Sequence, residues 1–307
     1  MEELSGADVR AKSIRPASIG FVFTNFNNSE LTLQALESIF SSAGENVCHA
    51  VIVDNCSEAA QVEVLRAAEG RFDRVKFIYS PVNTGYFPGL NIGIGAIREM
   101  AGDLDFVIVG NNDLVFSGEF FRRLREKRVE FSVNPVISPD LVTLDGVHQN
   151  PHVIVRVSRF RELVWDVYFS NYWCSVMIRN LASLGRKFFE RKDYLSYKEA
   201  GHIYQGYGAC YLLTPKFFAH FSELWAPGFL MGEEFYLAKQ LESGGFQVFY
   251  EPSLPVVHHD HATVSKVPSR KMWEFTRAYH KIYRSFISPY RLRMDNKKSY
   301  ISVGLDG

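Results

Sequence analysis

Apolar and polar segments alternate regularly through the first third of the chain. Four short runs of strand-forming residues are each followed by turn-forming polar residues, at 19–24, 50–53, 75–79 and 106–109. Between these runs, apolar residues recur every three or four positions, which predicts helices over 29–42, over 59–68 and from about residue 90. Strands that alternate with helices are typical of a parallel sheet with covering helices, so the pattern predicts an α/β fold.

The second half of the chain has a less regular pattern. It predicts helices at 120–129, from Pro215 and at 235–242, and strands at 132–137, 209–213 and 247–250. Between 141 and 204, aromatic residues mix with arginines and lysines, which is compatible with a sugar-binding face, a membrane-surface patch or, most commonly, a partly buried helical layer. From Lys266 onward, a basic aromatic stretch predicts a helix whose aromatic face packs on the body and whose basic face can contact anionic lipid headgroups.

Composition narrows the class of protein. The 307 residues are 47% hydrophobic and 22% charged, as in an ordinary globular protein. The 34 basic and 34 acidic residues cancel, so no overall field attracts nucleic acid. The four cysteines lack the close paired spacing of zinc sites, and we predict that they are reduced core residues: Cys48, Cys56, Cys174 and Cys210. With no signal-like apolar region at the start and no apolar stretch of membrane-spanning length, the sequence predicts a cytoplasmic protein, either free or peripheral on the inner face of the plasma membrane.

Polar side chains follow each strand of the first half. These residues are Asn25 and Asn27, then Asp54 and Asn55, then Asn83, then Asn112 and Asp113. Asparagine and aspartate favour turns, and this preference accounts for any single one of these residues. However, the carboxyl ends of parallel strands meet at one edge of a sheet. Four such strand ends in succession therefore favour a pocket.

Asp113 is the candidate metal ligand at this edge. A carboxylate there can hold a metal ion against a phosphate, whereas the simpler interpretation is an Asx turn after a buried strand. The preceding glycine-rich segment, 85–95, matches neither the Walker motif nor GxGxxG directly after a strand. Its position before Asp113 favours a loop near the phosphates over a helix-packing role.

A second polar cluster lies between residues 232 and 261. Glu233 and Glu234 precede an apolar helix, where acidic side chains also act as simple N-terminal stabilisers. The sequence His258-His259-Asp260-His261 resembles a zinc site, but adjacent residues of an extended segment point to opposite sides. One histidine, His258 or His259, bound to a phosphate or to its metal is the better hypothesis.

Taken in order and spacing, six short motifs resemble the landmarks of family 2 glycosyltransferases, and the match is nearest to bacterial rhamnosyltransferase-like members. They are FTNFN, VDNCS, NTGYFPGLNIG, GNNDLVF, GEE and VVHH. The resemblance implies the GT-A fold: a Rossmann-like, mostly parallel sheet with helices on both faces. It also implies a polar leader over 1–17, a donor-binding half over 18–130, an acceptor-binding and catalytic half of the same domain over 131–265, and a C-terminal helical extension over 266–307.

The resemblance also implies roles for individual residues. The donor nucleotide sugar would be bound by Thr24, Asn25, Asn27, Asp54, Asn83, Gly85, Asn91 and Asn112. Asp113 would occupy the metal-ligand position of the DXD motif, with His258 beside the metal. Glu234 would be the catalytic base, with Glu233 next to it. Two positions depart from the family pattern: Asn111 replaces the first acid of DXD, and glutamate replaces aspartate as the base.

The implied activity is inverting transfer of a sugar from a UDP-, dTDP- or GDP-linked donor, with Mn²⁺ or Mg²⁺ as cofactor. The implied acceptor is a hydroxyl of a glycan or lipid-linked glycan in bacterial surface polysaccharide synthesis. Two alternatives remain. A sugar-phosphate nucleotidyltransferase needs a glycine-rich loop with a basic residue after the first strand, which FTNFNNSE lacks. A catalytically silent nucleotide-sugar or glycan-binding protein is compatible with the reduced DXD motif.

Overall fold

The computed structural model describes residues 15–152, 159–184, 197–259 and 269–287. Within these ranges, nine strands form one sheet: β1 (Ser18–Asn25), β2 (Val47–Asp54), β3 (Val75–Tyr79), β4 (Phe106–Asn111), β5 (Leu114–Phe116), β6 (Val136–Thr143), β7 (Gly201–Ile203), β8 (Cys210–Leu213) and β9 (Val248–His258). The sequence predictions for the leader through residue 14, for Asp260 and His261, and for the chain after Ile287 lie outside the described residues.

Helices connect and cover the strands. They are α1 (Ser29–Ser42), α2 (Ala59–Ala68), α3 (Tyr86–Ala101), α4 (Gly118–Glu126), α5 (Arg128–Phe131), α6 (Arg159–Ser170), α7 (Tyr172–Leu184), α8 (Pro215–His220), α9 (Glu233–Ser243) and α10 (Ser269–Phe286). The described helices include none that is both long enough and apolar enough to cross a membrane.

The sheet is mixed, with strand order β3-β2-β1-β4-β8-β6-β9-β5 and β7 also paired to β9. The first four strands of this order are parallel, as the alternating pattern predicts. β8 then runs antiparallel between β4 and β6. Apolar side chains fill both faces: α1, α2 and α4 pack on one, and α3, α8 and α9 on the other. The predicted α/β, Rossmann-like architecture is therefore confirmed.

Two predicted strands differ from the structure. The strand predicted at 132–137 is wrong: the helical segment continues to Phe131, whose ring packs against Phe106, and the strand runs from Val136 to Thr143. β9 continues well past the predicted end at residue 250. Pro139 pairs with Glu251 and the next residue, Asp140, pairs with Pro255, so the register shifts there and residues 252–254 of β9 have no partner in β6.

The cysteines divide by position. Cys48 and Cys210 lie in strands and are buried, as predicted. Cys56 is exposed, because it follows β2 in a turn with a left-handed φ of 65°, so its predicted burial is wrong. Cys174 in α7 is half-buried.

Candidate active site

A buried hydrogen-bond network joins the carboxyl ends of β1, β2 and β4. The Asn25 Nδ2 donates to Asp54 Oδ1 (2.8 Å), and the Asn112 Nδ2 donates to Asn25 Oδ1 (3.0 Å). Asp54 Oδ2 accepts the Ser57 N–H (3.0 Å), and Asn112 also donates to Thr32 Oγ1 (2.7 Å). The structure thus brings three predicted donor-site residues together. Because they largely satisfy one another, their direct effect is to fix the loops at this edge.

The loop between β3 and α3 is held to β2 by one side chain. Asn55 Oδ1 accepts the Thr84 N–H, and Asn55 Nδ2 donates to the Gly85 carbonyl, both at 2.8 Å. Within the loop, Asn83 Oδ1 accepts the Gly85 N–H (3.0 Å). The structure therefore places Asn83 and Gly85 beside the end of β2, next to the polar network.

Three other predicted donor residues lie in different surroundings. Thr24 is half-buried near the end of β1, level with Asn111 of β4. Asn27 has a left-handed φ of 57°, and its Oδ1 accepts the Glu58 N–H (2.8 Å). Both amide atoms of Asn91 bond to the backbone of Leu224, at 2.7 and 2.9 Å, so the structure shows Asn91 holding that segment against α3.

Gly85 is required by its backbone conformation and by a close contact. Its φ is +97°, and a Cβ atom there would lie 2.2 Å from the Phe229 carbonyl oxygen. The next N–H, of Tyr86, donates to that same oxygen (3.1 Å). The contact joins the start of α3 to the segment that leads into α9.

We therefore expect Gly85→Ala to lower the free energy of unfolding by at least about 2 kcal/mol, since this glycine-only conformation is strained for alanine and the clash is with backbone. Gly95→Ala is the matched control, because Gly95 lies in α3 and nothing lies within 4 Å of its added Cβ. The control should be neutral or stabilising by up to about 1 kcal/mol. Urea unfolding monitored by circular dichroism measures both, and equal stability of the two variants would contradict the assigned contact.

Asp113 and His258 face each other at the end of β4. Asp113 Oδ1 is buried, lacks a hydrogen-bond partner among the described residues and lies 3.2 Å from His258 Nε2. The pairing of β5 with β9 sets this approach, since Leu114 is in register with His258 and the His259 N–H donates to the Asp113 carbonyl (3.0 Å). Both side chains are therefore positioned by the sheet.

Gln149 fixes the orientation of the His258 ring. The ring Nδ1 lies 2.7 Å from Gln149 Oε1, which only accepts, so Nδ1 carries the proton and donates. In the neutral ring, the Nε2 lone pair then points to Asp113, with Asn111 Nδ2 at 3.4 Å from the same nitrogen. Gln149 is itself held by its backbone N–H, which donates to the Leu141 carbonyl of β6 (2.8 Å).

These two side chains fit a divalent metal ion. A carboxylate oxygen without a partner and an imidazole lone pair converge at one point, and both are metal ligands. The described residues contain no group of three or more His, Cys, Asp or Glu side chains that could hold an ion. Mg²⁺ and similar hard cations often take one or two protein ligands and complete their shell with phosphate oxygens and water. The pair therefore suits an ion that arrives with a diphosphate.

The two glutamates at the start of α9 occupy different environments. Burial, together with the charge of Glu234, raises the pKa of Glu233 to about 7. Glu233 Oε1 accepts the Met231 N–H (3.0 Å). Glu234 is less buried, and its Oε1 accepts the Gly208 N–H (3.2 Å). Near neutral pH, Glu233 is thus partly protonated.

Residues from three regions connect Glu234 to the Asp113 turn. The Asn111 N–H donates to the Ala209 carbonyl (2.9 Å), so the segment that holds Glu234 runs alongside the end of β4. The Tyr86 hydroxyl donates to the Gly208 carbonyl (2.9 Å). Burial raises the pKa of the Tyr86 phenol well above its usual value, and the charges of Glu233, Glu234 and Asp113 raise it further. The charges of both Glu234 and Asp113 therefore act on the Tyr86 phenol.

The family follows from a direct sequence comparison. The model of "Glycosyl transferase family 2" matches residues 21–180, more than half of the 307 residues. The chain belongs to glycosyl transferase family 2. No curated protein matches the chain.

Solved structures similar to this family 2 chain include two glycosyltransferases. A mannosyltransferase from Pyrobaculum calidifontis, PcManGT, in complex with GDP-Man and Mn²⁺, has a TM-score of 0.52 at 12% identity over 88% of this chain. GalNAc-T7 with UDP, GalNAc and Mn²⁺ has a TM-score of 0.49 at 11% identity over 80% of this chain. The family 2 chain spans 64% and 44% of the lengths of these two proteins. The likeness to PcManGT supports the GT-A-like fold.

The C-terminal helix of the family 2 chain supports the turn before the two glutamates. Gly232 has a left-handed φ of 86°, and a Cβ atom there would lie 2.0 Å from the Tyr279 ring of α10. Met231 before it also has a positive φ, 78°. Burial raises the pKa of Tyr279 above the ordinary range, and Glu234 contributes to that rise. α10 thus contacts the same turn that positions Glu234.

Several residues of the site escape sequence reasoning. Gln149 lies in a stretch without periodicity, and its partner His258 is 109 positions away. Tyr207, whose ring lies 6.1 Å from that of His258, and Tyr279 look like ordinary aromatic core residues in the sequence. Of these residues, Tyr86 is the one that the sequence could have indicated most readily, because it directly follows Gly85 of the glycine-rich segment.

Proposed function

We propose that this family 2 protein is an inverting glycosyltransferase that moves a sugar from a nucleotide-diphosphate sugar to a hydroxyl group. The observation that carries the proposal is the Asp113 carboxylate, buried with an unpartnered oxygen that faces His258 Nε2 at 3.2 Å, beside the segment that binds Glu234. PcManGT, with GDP-Man and Mn²⁺, supports a nucleotide-diphosphate donor and a divalent cofactor for the same fold.

Asp113 and His258 would hold the divalent ion, Mn²⁺ or Mg²⁺. When bound, this ion supplies positive charge next to the leaving diphosphate. Gln149 keeps the His258 Nε2 lone pair directed to the site. Asn111, in place of an acid, leaves only one carboxylate in the turn, so the diphosphate itself is expected to contribute more of the coordination.

Glu234 would accept the proton of the acceptor hydroxyl. As the acceptor oxygen forms its bond to the anomeric carbon, the bond to the diphosphate oxygen breaks on the opposite face, and its electron pair stays with the diphosphate. This attack inverts the configuration of the sugar. Protonation of Glu233, favoured by its raised pKa, reduces repulsion beside the charged Glu234.

The donor side would be formed by the strand ends and adjoining loops that carry Thr24, Asn25, Asn27, Asp54, Asn83, Gly85 and Asn112, whereas Asn91 lies within α3 and is bonded to the Leu224 backbone. The acceptor that we propose is a glycan or lipid-linked glycan in bacterial surface polysaccharide synthesis. The proposed donor carries a hexosyl or deoxyhexosyl group, as in rhamnosyltransferase-like members. Aromatic residues of the second half would stack on the acceptor.

A thermal-shift screen of UDP-, GDP- and dTDP-linked sugars, each with and without Mn²⁺, tests the proposal. We expect at least one donor to raise the Tm only when Mn²⁺ is present, because the diphosphate would bind through the ion. A ligand at about 100 times its Kd stabilises the folded state by about 2.7 kcal/mol. The matching nucleoside monophosphate is the control and should shift Tm less. No shift with any donor would refute the proposal, and a shift without donor hydrolysis or transfer would favour the silent binding protein.

A further inference from the structure

Helices α6 and α7 pack together and expose an apolar surface. On α6, Phe160, Leu163 and Val167 recur every three or four positions and form one side of the helix. On α7, Trp173 and Met177 are four positions apart. Phe160 and Trp173 are 76% and 74% exposed, values far from those of core aromatic residues. We call these five side chains the apolar face.

The opposite side of each helix packs inward on α10. On α6, Trp165 lies against Tyr283 with ring centroids 5.9 Å apart, and Phe169 stacks on His280 at 4.5 Å. On α7, Tyr172 packs edge-on against Trp273 at 5.6 Å. The exposed stripe of each helix therefore points away from α10.

The helices that form and support the apolar face carry an excess of positive charge. Helices α6, α7 and α10 carry eight arginines and lysines against three acids, whereas the whole chain is neutral. Two of the acids face inward: Asp166 pairs with Arg284 at 2.7 Å, and Glu162 accepts the Tyr283 hydroxyl at 3.1 Å. The exposed cations in these helices include Arg159, Arg161, Arg179, Lys271 and Lys281.

We propose that the apolar face docks on an anionic phospholipid bilayer. Aromatic and long apolar side chains enter the headgroup region, while the exposed arginines of α6 and α7 contact lipid phosphates. Neither feature alone gives stable peripheral binding. Aromatic tips as exposed as Phe160 and Trp173, on two helices where no acid is fully exposed, favour a lipid headgroup layer over a protein partner with an acidic rim. The proposal goes beyond sugar transfer and does not depend on the catalytic assignments.

The docked helices are connected to the catalytic region. α10 lies between the apolar face and the turn at Gly232, where its Tyr279 ring contacts the residue before Glu233. Docking would therefore hold the Glu234 side of the site near the bilayer, where a lipid-linked acceptor presents its hydroxyl.

Vesicle flotation of the full chain, without donor or metal, tests the proposal. We expect binding to phosphatidylcholine vesicles that contain phosphatidylglycerol, much weaker binding to pure phosphatidylcholine, and release at high salt. The double variant Phe160→Glu/Trp173→Glu should bind at least about tenfold more weakly. Both positions lie in the first turn of their helices, where an acid is favourable, so the variant is expected to fold.

Matched controls are Val133→Glu and Leu144→Glu, each at an apolar residue that is 62% exposed outside these helices. They should bind vesicles as the parent does. Failure of the parent to bind anionic vesicles, or equal loss in the controls, would overturn the proposal. If the parent does not bind vesicles but forms a concentration-dependent dimer, and the double variant does not form it, the apolar face instead binds a second copy of the chain. In the double variant, the Tm and the donor-induced shift of Tm should be unchanged. These two measurements separate a loss of vesicle docking from a failure of the proposed activity.

Discussion

Sugar transfer by the Glu234→Gln variant is expected to fall by about 10²–10⁴-fold, because the amide can still occupy the position but cannot accept the acceptor's proton. The amide oxygen can keep the bond from the Gly208 N–H, so the loop that joins Glu234 to the end of β4 should stay in place. Donor-induced shifts of Tm should therefore be nearly unchanged. Single-turnover transfer and thermal shift, measured on one preparation, give both quantities.

Glu233→Gln is the matched control for this experiment. It resembles the protonated carboxyl that the raised pKa of Glu233 favours near neutral pH, so most activity should remain. The folded-state pKa lies above the usual 4.5, so the wild type loses stability as pH rises from about 4.5 through about 7, and the control should lack this component. Full turnover by Glu234→Gln, or a larger loss in the control, would show that Glu234 is not the base.

For Asp113→Asn, we expect the Mn²⁺-dependent part of the donor-induced Tm shift to disappear. Sugar transfer should fall by at least about 100-fold, since metal stabilisation of a leaving group is worth several kcal/mol. Stability without metal should not decrease. The Asp113 oxygen near His258 has no partner among the described residues, and the introduced amide can donate to His258 Nε2. Isothermal titration of Mn²⁺ in the presence of a nucleoside diphosphate measures the loss directly.

Asp103→Asn, at an exposed residue before β4, controls for the change of charge and should leave both Mn²⁺ binding and transfer as in the parent. If Asp113→Asn binds Mn²⁺ with the parent's affinity, the ion is held elsewhere. In that case, the close approach of Asp113 to His258 serves the fold alone.

Local patterns in the sequence predict the elements whose formation is itself local. The bounds of α1, α2 and β3 follow from their own periodicity and turn residues. The meeting of Asn25, Asp54 and Asn112 is also predictable, because parallel strand ends share one edge. Even there, the sequence does not reveal that these groups bond mainly to one another.

Long-range pairing limits what the sequence can predict. The segment that binds Glu234 lies beside the end of β4 because β8 inserts antiparallel next to β4, and no local pattern predicts that neighbour. The orientation of His258 depends on Gln149, which is supplied from the far end of β6. The family resemblance pointed to Asp113, Glu234 and His258, but it gave none of the contacts that hold them. The apolar face was likewise hidden, since exposure depends on which side of α6 meets α10.

The order of strands in the sheet has a consequence for dissecting the molecule. The predicted donor half ends near residue 130, yet β4 has β8 as its neighbour and β5 forms its described ladder with β9. A fragment cut there would leave β4 with a bare edge and β5 without a ladder, a condition that promotes edge-to-edge aggregation. Heat or denaturant should therefore melt the two halves together, and neither half can be exchanged between relatives as an autonomous module.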